Sequence, residues 1–198
     1  MRVKSFSPKQ RQIMRFVDSD DMALICDGSV RSGKTTVMSM AFVLWAMKYY
    51  NGTNFAICGK TVQAAERNIL KPLMEIEGLR AALSMSYKVS TRVLTIRCGD
   101  VENRFYLFGG KDESSYMLIQ GITLAGVLFD EVALMPRSFV EQALSRATIP
   151  APQPRRKWIQ RTVVAGYVIF PALRNRVDLA RLVEHRIDKP FGDHPLRL

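Results

Sequence analysis

The chain has 198 residues, 47% of them apolar, with a net charge of +11 and a pI of about 9.9. Those values exclude a disordered polar chain and fit one α/β domain with at most an appendage, while the basic balance favours polyanions, nucleic acid first. Cys26, Cys58 and Cys98 lie far apart in apolar runs with no metal spacing, no signal-peptide core opens the chain, and the apolar stretch around Val37 to Met47 is too short to span a bilayer, so a soluble protein of a reducing, intracellular compartment is expected.

Phe6 to Phe16 opens with Ser7-Pro8, a helix cap followed by proline at the first helical position, which predicts a short helix. Met22 to Cys26 is an apolar run and reads as a buried strand. Residues 28 to 35 then read Gly-Ser-Val-Arg-Ser-Gly-Lys-Thr, a complete G-x-x-x-x-G-K-[ST] phosphate loop. The two glycines let the backbone curl so that successive N–H groups face an anion, and the following helix adds its positive end. Gly28, Ser29, Val30, Arg31, Ser32, Gly33, Lys34, Thr35 and Thr36 are the candidate phosphate-binding residues. Lys34 is placed to reach the β- and γ-phosphates and Thr35 to offer its hydroxyl to Mg2+. Thr36 to Tyr50 reads as a mostly apolar helix closed by Asn51-Gly52.

Asn54 to Cys58 predicts a second strand, ending in Gly59-Lys60-Thr61. A helix is expected from Thr61 to Glu77, with Ala64, Ile69, Leu70, Leu73 and Ile76 on one face and Pro72 as a kink point. Tyr87 to Arg97 and Asn103 to Phe108 read as a hairpin joined at Gly99-Asp100. Ile122 to Phe129 is the next strand, and Pro136 to Ala147 the next helix. Strands alternating with helices around a phosphate loop predict the P-loop NTPase fold of the RecA/ASCE type, a mainly parallel sheet with helices on both faces.

Gly126-Val-Leu-Phe-Asp130-Glu131 is a Walker B pattern, a buried strand that delivers two carboxylates to the end of the sheet that carries the phosphate loop. Asp130 is the candidate Mg2+ ligand and Glu131 the candidate base that orients and deprotonates the attacking water. On the base side of the nucleotide, the Gln10 amide matches N6 and N7 of adenine, although an ordinary surface glutamine satisfies the same spacing. The nearest approach to a guanine clamp, Asn175-Arg-Val-Asp178, has Arg where Lys is needed, so ATP is the expected nucleotide.

Together these segments resemble the ATPase domain of the tailed-phage terminase large subunit, over about residues 5 to 148. Phe6-Ser-Pro-Lys-Gln10 is similar to the family's adenine motif, the loop carries Arg before Ser-Gly-Lys, and Gln120 to Pro136 resembles its Walker B neighbourhood. The resemblance implies ATP hydrolysis that translocates double-stranded DNA, in the host cytoplasm and away from membranes. It further implies a homo-oligomeric ring and, as partners, the terminase small subunit and the portal of the procapsid. Arg31 inherits by position a role at the γ-phosphate, beside Lys34 and Glu131 as catalytic residues. Arg146 is a weaker candidate for reaching a neighbouring subunit. A helicase-type ATPase needs a second motor domain that the length leaves no room for.

Residues 151 to 198 depart from that pattern, so an ATPase domain over 1–150 and a tail of uncertain fold are expected. The tail holds ten Lys and Arg against four Asp and Glu, a net +6, and no coupling motif ends the strand-like run Thr162 to Phe170. No length remains for a nuclease domain. Two readings of the tail stand: a loosely packed, DNA-binding extension whose deletion spares ATP binding, or a core strand at Thr162 to Phe170. The departure also keeps open a truncated prophage remnant that binds ATP or DNA without motor activity.

Overall fold

The computed structural model describes residues 5–19, 23–26, 32–149 and 161–165. Seven strands among them form one sheet: β1 Ala23–Cys26, β2 Asn54–Gly59, β3 Ser84–Lys88, β4 Val93–Cys98, β5 Val101–Gly109, β6 Gly126–Asp130 and β7 Arg161–Ala165, in the order β1-β7-β6-β2-β5-β4-β3. The pairs from β1 to β5 are parallel, while β4 and β3 add an antiparallel edge.

Alternation along the buried strands assigns side chains to two cores. Phe55 and Ile57 of β2, Phe105 and Leu107 of β5 and Leu128 of β6 face one core. Ala56, Cys58, Phe108, Val127 and Phe129 face the other. Helix α1 (Pro8–Arg15) and helix α2 (Lys34–Tyr49) cover the first face, with a longer helical stretch that begins with α3 (Val62–Ala65). Helix α2 is buried on nearly all sides, from Val37 to Val43 and from Trp45 to Met47, which explains why it lacks a polar stripe. The second face is covered by the 3-10 helix Glu113–Ile119 and by the helix Arg137–Arg146.

Ser7 caps α1 as the sequence predicts, in a full capping box with Gln10. Gly59 is required because a Cβ there would lie 2.9 Å from the backbone nitrogen of Ala65, where α3 sits against the end of β2. Buried Asn103 ties the end of α2 to β5. Its amide donates to Ala46 O at 3.2 Å and Tyr50 O at 2.8 Å, and its Oδ1 accepts from Thr53 N at 3.0 Å. We expect Asn103→Ala to lower stability by about 2–4 kcal/mol, since it orphans buried backbone groups. A urea midpoint unchanged from wild type would contradict this.

Several expected elements differ. The helix predicted from Thr61 to Glu77 is α3, a π-helical turn Glu66–Leu70, and α4 (Lys71–Met74), followed by a separate helix α5 (Glu77–Ala82). Pro72 supplies the reason: its ring clashes with the carbonyl four residues back, that of Asn68, and a wider turn relieves the clash. Ala65, rather than Ala64, lies in the core, one helical turn before Ile69. Tyr87 to Arg97 is not one strand, because the chain turns between β3 and β4 with Val89 71% exposed and Arg92 at φ +56. No Gly, Asn or Pro announces that turn. Only Gly126–Asp130 of the run from Ile122 joins the sheet, because Leu124 pairs instead with the segment around Ala147. Cys98 is exposed rather than in the core.

Of the two readings of the tail, the structure has the core strand. β7 lies inside the sheet, with Val163 opposite Leu24 of β1 on one side and Leu128 of β6 on the other. Residues 166–170 of the expected strand lie outside the described residues.

Candidate nucleotide-binding site

The parallel strands β1, β7, β6 and β2 all end on one side of the sheet, where an open α/β fold places its ligands. Gly28, Ser29, Val30 and Arg31 lie outside the described residues, so the loop enters the structure at Ser32. Gly33 has φ +75, the left-handed conformation that glycine adopts without strain, and it begins α2. Lys34 and Thr35 form the first turn of α2, where the positive end of the helix dipole favours an anion. The positive charge of Lys34 acts on Cys26, the last residue of β1, but burial outweighs it and pushes that thiol up to about 12. The thiol therefore stays neutral beside the ammonium.

Although β7 separates β1 from β6, α2 crosses the gap. Thr35 Oγ1 donates to Asp130 Oδ1 at 3.1 Å, joining residues 95 apart in sequence. Asp130 is 6% exposed at the end of β6, so its carboxylate needs such partners. Its other oxygen accepts from Asn68 Nδ2 at 3.3 Å. Asn68 was not singled out in the sequence; Pro72, which forces the π-helical turn that carries it, is the signal that points there. The donor set suits Mg2+: one hydroxyl and one carboxylate, oxygen ligands both, with the remaining positions open to water and phosphate. No group of three or more His, Cys, Asp or Glu among the described residues makes an all-protein cation cage.

Glu131 follows Asp130 and is exposed, with φ +57 and ψ 50. A left-handed glutamate is strained, and such strain concentrates at functional positions. The strained turn sends the carboxylates of Asp130 and Glu131 different ways, one into the site's floor and one to solvent. Lys60 holds the segment after Glu131 by donating to Leu134 O at 2.6 Å and to Lys111 O at 3.1 Å.

Gln10 also arrives at this site. Its Nε2 donates to Ser32 O at 3.3 Å, while its Oε1 accepts from Ser7 N at 3.0 Å. In this geometry both ends of the amide are engaged by the protein. Thr36 lies one residue further along α2, and its carbonyl accepts from Ser39. Arg146 is half-buried at the end of the helix Arg137–Arg146, where its carbonyl bonds Leu124 N.

Residues 25–159 match the family described as Terminase large subunit, T4likevirus-type, N-terminal. The large terminase of a thermophilic bacteriophage is 42% identical, with a TM-score of 0.72, over 82% of this chain and 39% of its own. The same phage protein solved with ATP-gamma-S matches at 39% identity and a TM-score of 0.69, over 82% of this chain and 38% of its own. The ATPase domain of the Thermus phage P74-26 large terminase shares the fold at 16% identity and a TM-score of 0.54, over 82% of this chain and 64% of its own. No curated protein matches. The chain thus spans about two fifths of the thermophilic phage's terminase.

Proposed function

The chain belongs to the terminase large-subunit family, and we propose that it binds ATP with Mg2+ and hydrolyses it to drive double-stranded DNA into a capsid. The observation that carries this reading is the 3.1 Å contact of Thr35 with Asp130, which brings the phosphate-loop helix and the acidic strand end into one site. The relative from the thermophilic phage has been solved with ADP and with ATP-gamma-S, which supports the same nucleotide here.

In this reading the backbone from Gly28 to Thr36 cradles the phosphates and Lys34 neutralises their charge. Arg31, on the same loop, offsets charge that builds on the γ-phosphate during transfer. Gln10 stands at the adenine side and braces Ser32. Thr35 and Asp130 are the residues that would hold Mg2+, which would supply positive charge against the phosphates. Glu131 orients the attacking water and takes its proton. The net charge of +11 suits DNA phosphates, and a homo-oligomeric ring with the small subunit, portal and procapsid as partners completes the proposed packaging machine in the host cytoplasm.

Glu131→Gln keeps the shape and hydrogen bonding of the side chain but cannot accept a proton. DNA-stimulated phosphate release should fall about 10²- to 10⁴-fold while ATP binding is retained. If the Gln variant turns over at the wild-type rate, the base lies elsewhere.

A further inference from the structure

Asn68 lies in the π-helical turn Glu66–Leu70, a kind of turn that concentrates at functional sites. Its amide orientation is set from two sides. Arg67 Nε donates to Oδ1 at 3.2 Å, which leaves Nδ2 to donate to Asp130 Oδ2 at 3.3 Å. Thr35 holds the other carboxylate oxygen. Rotation of a carboxylate about its last torsion is otherwise broad, so these two donors define how Asp130 faces the site.

We propose that Asn68 is a positioning residue for the metal-binding carboxylate. By occupying Oδ2 it turns the Oδ1 edge of Asp130, with the Thr35 hydroxyl beside it, toward an Mg2+–nucleotide complex. Pro72 makes the arrangement possible, since the widened turn that relieves its clash with the Asn68 carbonyl is the turn that carries the amide. The proposal rests on the reading of Lys34, Thr35 and Asp130 as an Mg2+–ATP site.

Partners of this outer kind are worth about 10- to 100-fold in metal affinity. The test is calorimetric titration of the 198-residue chain with a non-hydrolysable ATP analogue, once in excess Mg2+ and once in EDTA. For Asn68→Ala the gain in affinity conferred by Mg2+ should shrink about tenfold, with affinity in EDTA unchanged within about twofold. Asn68→Leu, near in shape and a good helix former, should behave alike and serves if the alanine variant does not fold. Equal losses in Mg2+ and EDTA would mean general damage to the phosphate loop and would overturn the proposal. So would an undiminished Mg2+ gain in a folded variant, with the wild-type ATP site left standing. A wild-type chain that binds no analogue in either condition would overturn the site itself, and the proposal with it.

Discussion

Lys34→Ala is expected to lower ATP affinity about 100-fold, or ~2.7 kcal/mol, without lowering the melting temperature. The ammonium is the one cation that the loop motif itself places at the β- and γ-phosphates, and charge-assisted hydrogen bonds are worth about 1.5–3 kcal/mol each. What remains after substitution, the backbone N–H groups and the dipole of α2, binds an anion with less charge to offset it. Stability should not suffer, because Lys34 is only half-buried in the first turn of α2 and Ala is a better helix former. Cys26 does not introduce a compensating charge, since its thiol is held neutral by burial. Calorimetry with ATP-gamma-S on both proteins decides the matter; equal affinities would remove Lys34 from the site.

Ending the chain at Ile149 should abolish folding and ATP binding together. β7 is hydrogen-bonded on both sides, to β1 through Ala23 to Cys26 and to β6 through Gly126 to Asp130. Among the described residues β1 pairs with no other strand. Removing β7 leaves a gap of about 10 Å between β1 and β6, two strand spacings, and a four-residue strand cannot hold its place alone. Because β1 leads into the phosphate loop, losing its anchor dislodges the loop as well. Each ladder bond contributes about 1 kcal/mol net, and two interior ladders are lost from a domain whose total stability is about 5–15 kcal/mol. One of the two readings that the sequence left open is the opposite result, a tail whose deletion spares ATP binding. Circular dichroism melts of the full and shortened chains distinguish the two. Val163→Pro, which removes one backbone donor from the middle of β7, should reproduce part of the loss. A shortened chain that melts within a few degrees of the full one and still binds ATP would refute the argument.

Much of the site was legible in the residues, because the signals there are local. A Gly-Lys-Thr run needs only its own backbone and the helix that follows to make an anion cradle, and Ser7 with Gln10 forms a capping box within four residues. A continuous apolar run is a local signal too, so β2 and β6, buried on both faces, could be recognised from the chain. What tertiary structure decided is which distant segments become neighbours. β7 lies between β1 and β6 because strand pairing is a long-range interaction that no short window encodes. Asn68 meets Asp130 across 62 residues for the same reason, and the left-handed turn at Glu131 persists because the surrounding fold holds it there. Periodicity tells a segment which face to bury; only the assembled sheet determines against whom.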